Sequence, residues 1–280
     1  MKGLVIKNTG SWYQVRTDQE EIFECKIKGN LRLKDIKSTN PIAVGDFVEF
    51  TAIEEKVGLI SGIYDRKNYI IRRSSNLSKQ SHILAANLDL VVQVITIRYP
   101  ETSTIFIDRF IASAEAYNVP ACILINKIDL YTEDEMQYAE ALKTLYESIG
   151  YPVFMLSALK PDTFDTFKQF LTGKTILISG NSGVGKSTLI NAILPESLAK
   201  TGEISSYHNK GTHTTTFSQL YQLENGAKLI DTPGIKGFGT VDMEIDEISH
   251  YFKEIFKTSK KCRFTNCTHV HEPGCAVLSA

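Results

Sequence analysis

Gly180-Asn181-Ser182-Gly183-Val184-Gly185-Lys186-Ser187 has the spacing G-x-x-x-x-G-K-[ST], set between the strand-like run TILIS and the helix-like run STLINAIL. Glycines at these positions let a loop wrap so that successive backbone N–H groups face phosphate oxygens, and the dipole of the following helix adds to the attraction. In that arrangement Lys186 bridges the β- and γ-phosphates of a nucleoside triphosphate, Ser187 ligates Mg²⁺, and Thr188 follows as a further nucleotide contact. Downstream, Asp231-Thr232-Pro233-Gly234 follows the run AKLI. The aspartate therefore stands at the C-terminal end of a strand, where α/β folds place ligand-binding groups. Asp231 can hold Mg²⁺ through water, and Gly234 can offer its N–H to a γ-phosphate and move when that phosphate leaves.

Asn126-Lys127-Ile128-Asp129 directly follows another apolar run, ACILI. A carboxylate there accepts both the N1–H and the 2-amino protons of guanine, whereas adenine would leave the charge unpaired, so Asp129 selects guanine. Asn126 holds the loop against the base, and the Lys127 stem covers the ring face. Ser157-Ala158, after PVFML, is placed to give a backbone N–H to the guanine carbonyl. The order is thus base motif, Ser-Ala, phosphate loop, DTPG, while an ordinary GTPase begins with the phosphate loop. The sequence reads as a circularly permuted GTPase, which keeps one spatial site if the original termini were close together.

These motifs need strands and helices to carry them. The runs LDLVVQVITI, ACILI, PVFML, TILIS and AKLI have the length and composition of buried parallel strands. Between the first two, Ile107, Phe110, Ile111, Ala114 and Tyr117 keep helical spacing, and Thr132-x-x-Glu135 predicts a capping box opening another helix. Before them, LVIK, SWYQVRT, FECKIKG, VGDFVEFTAI and LISGIYDR are short strands separated by turn residues. Their spacing fits a five-stranded OB-type barrel, with an SH3-like barrel as the alternative. The expected architecture is multidomain: an all-β barrel over residues 1–67, a central α/β permuted P-loop GTPase over 68–240, and a small zinc module over 241–280. A last helix is expected from about Glu244 through Ile245, Ile248, Phe252, Ile255 and Phe256.

Three of the five cysteines crowd the C-terminal end as Cys262-x4-Cys267-x-His269-x5-Cys275. Three thiolates and one imidazole suit tetrahedral Zn²⁺, with His271 or His250 as other choices for the fourth ligand. Four protein ligands leave no open position, so the ion would be structural. Cys25 and Cys122 lie in strand-like runs and read as small buried hydrophobes. The chain is 42% hydrophobic and 22% charged, which excludes disorder and collagen-like structure. Lys and Arg total 31 against 32 Asp and Glu, so any nucleic-acid contact must come from local patches rather than from the net charge of −1. No apolar run approaches the roughly 18 residues of a membrane-spanning helix, and the start turns polar after Leu4-Val5-Ile6. A cytoplasmic protein without a membrane partner is expected.

A β-barrel, a permuted GTPase and a Cys/His cluster together resemble the RsgA (YjeQ, YloQ) family, small-ribosomal-subunit-dependent GTPases of subunit maturation, over essentially the whole chain. The resemblance implies GTP and GDP as ligands and the small ribosomal subunit and its rRNA as partners. A monomer is expected. It points to His269 as the fourth zinc ligand. Many GTPases place a water-orienting glutamine after the D-x-x-G glycine, a position held here by Ile235. Lys210-Gly211-Thr212-His213-Thr214-Thr215-Thr216 is similar to the family's G-x-H-T-T switch motif, and by that resemblance His213 orients the attacking water and Thr215 meets Mg²⁺. Residues 199–216 carry almost no apolar side chains, so the segment is expected to be mobile until nucleotide and a partner order it. Lys257, Lys260, Lys261 and Arg263, and separately Arg66, Lys67, Arg72 and Arg73, are candidate contacts to rRNA phosphates. Family members continue with helical sequence beyond the motif EPGCAV, whereas this sequence ends at Ala280. The implied function is GTP hydrolysis assisting late maturation of the small subunit; the alternative is a GTP-controlled rRNA-binding module in which hydrolysis is incidental.

Overall fold

The computed structural model describes residues 1–28, 41–73, 81–194, 218–232 and 245–280. The chain opens with strands β1 (Lys2–Asn8), β2 (Tyr13–Arg16), β3 (Ile22–Ile27), β4 (Phe47–Glu54) and β5 (Val57–Ile63). Every second residue points inward, so Val5, Tyr13, Val15, Phe23, Cys25, Val48, Phe50 and Ile60 fill one core. The first three strands form an antiparallel meander, β3 pairs in parallel with β5, β5 pairs antiparallel with β4, and β4 returns antiparallel to β1. That ring of pairings closes an OB-like barrel and decides against an open sheet. Asp46, fully buried, receives Arg66 Nε and Nη2 at 2.6 Å each and the Ala43 N–H at 2.8 Å.

A hairpin of β6 (Tyr69–Arg73) and β7 (Ser81–Ala86) leads into the α/β part. There β8 (Leu90–Ile95), β9 (Ala121–Ile125), β10 (Val153–Met155), β11 (Thr175–Gly180) and β13 (Lys228–Asp231) are parallel in the order β10-β9-β8-β11-β13. Strand β12 (Ser218–Gln222) adds antiparallel to β13. The central strands are buried on both faces and largely apolar, with Gln93 in β8 and Ser179 in β11 as buried polar exceptions. Val91, Ile95, Ile123 and Ile125 face α1 (Thr104–Ala116) and α2 (Glu133–Ile149), whereas Val92, Val94, Cys122 and Leu124 face α3 (Asp165–Leu171) and α4 (Lys186–Ile193). The Thr132–Glu135 capping box forms in both directions, and α2 ends at Gly150 in the left-handed region. Cys25 and Cys122 are both buried.

Three features differ from the sequence expectations. Strand β12 was not expected, because SQLYQ is too polar to signal a strand; it forms because its edge pairs with β13 on one side and with β1 on the other, through Lys7↔Gln219 and Asn8↔Ser218. The barrel and the GTPase sheet are therefore continuous at this point. The expected last helix is broken: a 3₁₀ turn (Ile245–Tyr251) gives way at the extended residue Phe252 to α5 (Lys253–Ser259). Arg66 is also withdrawn from the expected basic patch by its buried pairing with Asp46, and Lys67 is paired with Asp89. Among the described residues no helix is long and apolar enough to cross a membrane.

Candidate functional site

The parallel strands all point the same way, so the loops after β8, β9, β10 and β11 and the end of β13 gather along one edge of the sheet. That edge is where open α/β sheets hold ligands. The permuted chain order is thereby erased in space.

The phosphate loop leaves β11 at Gly180 and enters α4 at Lys186, with Gly183 and Gly185 at φ 85° and 92°. Gly185 has a second reason to lack a side chain. A Cβ there would overlap the Asn126 amide nitrogen, and one at Gly180 would overlap the Val94 carbonyl oxygen. Lys186 Nζ donates to the carbonyls of Gly180 at 2.8 Å and Asn181 at 2.5 Å. Burial holds its ammonium below the ordinary lysine value. Val184 is buried, Asn181 and Ser187 are half-buried, and Ser182 and Thr188 are exposed.

The loop after β9 is locked to this one. Asn126 is fully buried; its N–H donates to Ile95 O at 2.9 Å and its Nδ2 to Val184 O at 2.8 Å, while its Oδ1 accepts the Ala158 N–H at 2.9 Å. One side chain thus ties three loops. Lys127, at φ 66°, sends Nζ to Gly183 O at 2.7 Å and to Tyr99 O at 2.5 Å. Its stem therefore lies between the two loops. Asp129 sits half-buried in the 3₁₀ turn Ile128–Leu130. The Ala158 N–H, expected to meet a base carbonyl, is engaged by Asn126, so a base would have to share that donor. Ser157 is fully buried and its Oγ accepts the Leu159 N–H at 3.2 Å.

Asp231 ends β13, on the strand adjacent to β11. Gly234, Ile235, His213, Thr215 and the segment 199–216 lie outside the described residues. Two contributors carry no motif. The backbone at Ile97 and Tyr99, after β8, touches Tyr131 and Lys127, and the Tyr131 hydroxyl touches Asn126. Only a tyrosine directly after N-K-x-D-L could have drawn attention to the second.

Cys262, Cys267, His269 and Cys275 bring their ligand atoms within 4.8 Å of one another. His269 Nδ1 lies 3.4 Å from Cys275 Sγ and 3.7 Å from Cys262 Sγ. A tetrahedron with bonds of about 2.0 Å to nitrogen and about 2.3 Å to sulfur has edges of about 3.5–3.8 Å, so the donor set and its spacing fit one metal ion. His271 and His250 are not in the group, and the His250 ring packs against Phe256 at 5.3 Å. Burial pushes the Cys267 thiol up to about 11. Burial acts in the same direction on Cys275, but the Leu278 N–H and His269 outweigh it and hold that thiol at about 7. Beside the group, Lys260 lies over the Phe256 ring at 5.1 Å and Arg263 over Phe264 at 5.5 Å.

Residues 63–241 match the RsgA GTPase family and residues 2–60 the RsgA N-terminal domain. A small ribosomal subunit biogenesis GTPase RsgA 2 from Bacteroides thetaiotaomicron is 65% identical over 280 residues, all of this chain and 90% of the relative. A small ribosomal subunit biogenesis GTPase RsgA from Porphyromonas gingivalis is 56% identical over 286 residues, again covering 100% and 90% of the two chains. Among solved structures, YjeQ from Thermotoga maritima superposes with a TM-score of 0.79 at 34% identity, covering 99% of this chain and 90% of that one. YloQ, described as a circularly permuted GTPase, gives 0.75 at 27% identity, covering 99% and 86%.

Proposed function

Because the chain belongs to the RsgA GTPase family, we propose that it hydrolyses GTP to GDP and phosphate on the small ribosomal subunit and thereby assists that subunit's biogenesis. The observation that carries this reading is Asn126, whose side chain joins the phosphate loop through Val184 and the Ser-Ala loop through Ala158. A base loop and a phosphate loop held at fixed separation bind a whole nucleotide rather than phosphate alone.

In this reading residues 180–188 wrap the phosphates, Lys186 turns from its loop carbonyls towards the β- and γ-oxygens, and Ser187 and Asp231 hold Mg²⁺ with Thr215. Mg²⁺ neutralises charge developing on the phosphates. Asp129 reads the guanine edge, Lys127 covers the ring, and Ser157-Ala158 meets its carbonyl. His213 orients the water that attacks the γ-phosphorus as the bond to the bridging oxygen breaks, and Gly234 follows the γ-phosphate. The functional units are the barrel, residues 1–67, the GTPase, 68–240, and the metal module, 241–280, with Lys257, Lys260, Lys261 and Arg263 meeting rRNA phosphates.

The test is GTP turnover with and without purified small subunits, run on wild type and on Asp129→Asn. The subunit should stimulate wild-type GTP hydrolysis strongly. Asp129→Asn should lose guanine-nucleotide affinity by about 10- to 100-fold, the weight of a charged hydrogen-bond pair, and should turn over XTP instead, since the extra carbonyl of xanthine matches an amide. No stimulation in wild type would count against the assigned partner, and undiminished GTP selectivity in the variant against the base site.

Cys262, Cys267, His269 and Cys275 hold one structural Zn²⁺ in this reading. Elemental analysis of freshly purified, reduced protein should give about one zinc per chain, and chelation should loosen residues 245–280 first, because metal ligation there stands in for a large apolar core. Zinc-free protein with an intact C-terminal module would sink the assignment.

A further inference from the structure

The Tyr131 hydroxyl lies between two loops of the site. It donates to the Asn126 carbonyl at 2.5 Å and accepts the Ile97 N–H at 2.9 Å. Asn126 and Asp129 belong to the turn that reads the base, while Ile97 belongs to the loop after β8. That loop makes two further contacts with the base-reading side: Arg98 Nη1 lies 3.0 Å from Glu135, and the Tyr99 carbonyl accepts Lys127 Nζ at 2.5 Å. It also reaches the phosphate loop, since a Cβ on Gly183 would stand 3.3 Å from Pro100. The segment 97–100 therefore backs both loops, and Tyr131 is its half-buried polar link to the base-reading turn.

The tyrosine is half-buried and carries no part of any recognised motif. Its ring packs against the core formed by α1 and α2. Burial first, with Glu135 and Asp129 nearby, pushes the hydroxyl up to about 12, so it remains a donor across the physiological range. A hydroxyl accepting one backbone N–H while donating to another residue's carbonyl fixes the second group in direction as well as in distance.

We propose that Tyr131 is a positioning residue for guanine recognition: by holding the Asn126 carbonyl against the Ile97 amide, its hydroxyl sets the orientation of the Asn126–Asp129 turn. This rests on the assignment of Asp129 as the guanine reader. Without the hydroxyl, the Asn126 carbonyl and the Ile97 N–H lose their shared partner, and the turn gains freedom just where Asp129 must meet the 2-amino group.

The experiment compares GDP with IDP, which lacks that amino group, on wild type and Tyr131→Phe by equilibrium binding. Phenylalanine keeps the ring packing and removes only the hydroxyl. GDP affinity should fall about tenfold, the range for one to two buried hydrogen bonds, with a much smaller loss for IDP, so the GDP-over-IDP preference shrinks. Both nucleotides are read on the same folded fraction, so lost stability alone leaves that ratio unchanged. An unchanged ratio in the variant, against a clear preference in wild type, overturns the positioning role. Absence of any preference in wild type overturns the Asp129 assignment itself, and the positioning role with it.

Discussion

Gly185→Ala is expected to weaken GDP and GTP binding on the order of 10³-fold, the equivalent of about 4 kcal/mol. Gly185 stands at φ 92°, where an alanine is strained by about 1–2 kcal/mol. The larger part comes from its neighbour. The new methyl would overlap Asn126 Nδ2 and approach Lys127 Cε at 3.8 Å. Asn126 has nowhere to move, since it is fully buried and its amide is fixed by Val184 O at 2.8 Å and the Ala158 N–H at 2.9 Å. Displacing it leaves two buried groups without partners, at about 1–3 kcal/mol each. Gly226→Ala is the control, because Gly226 has φ 77° with nothing within 4 Å and so carries backbone strain alone. Titration with a fluorescent GDP should therefore separate the two variants by two orders of magnitude or more. Binding by Gly185→Ala within tenfold of the control would mean that Asn126 is not the fixed tie between the loops.

His213→Ala should reduce subunit-stimulated GTP turnover by about 10²–10⁴, the usual weight of one water-orienting or general-base group. The motivation is chemical: Ile235 occupies the place of the customary glutamine and has no polar atom with which to direct water. His213 sits in the stretch KGTHTTT between the phosphate loop and DTPG, in the order expected of a switch segment. GTP affinity and subunit binding should stay near wild type, since the variant touches neither the guanine turn nor residues 180–188. Single-turnover hydrolysis must be measured with the subunit present, because the effect is expected on the stimulated rate. An unchanged stimulated rate would transfer the role to a group supplied by the ribosome.

The two variants probe different parts of the cycle. Gly185→Ala acts on binding and should be equally damaging with GDP and GTP, whereas His213→Ala acts only once the γ-phosphate is attacked. A variant that mixed the two signatures would place the switch segment in nucleotide binding as well as in turnover.

The phosphate loop, the Asn126–Asp129 turn and the Cys/His cluster are readable in the sequence because their chemistry is local. A phosphate needs consecutive N–H groups from one glycine-rich turn, and guanine needs a carboxylate directly after a strand. The strands that carry them are readable for a related reason: a parallel strand covered on both faces is apolar at nearly every position, as β9 is throughout. The barrel strands show the alternation that a single inner core imposes.

What tertiary structure alone decided concerns partners distant along the chain. Asn126 meets Val184 across 58 residues, and Arg66 is turned inward by Asp46 across 20, which a run of basic residues cannot reveal. Polar β12 becomes a strand because β13 and β1 offer it two edges. His269, rather than His271 or His250, joins the thiols because its left-handed backbone, at φ 61°, belongs to the turn that brings it to them. Tyr131 bridges Asn126 and Ile97 because the parallel register of β8 and β9 sets their ends side by side. In each case a buried polar group found its partner through strand register and packing, and neither leaves a periodic trace in the sequence from which the pairing could be read.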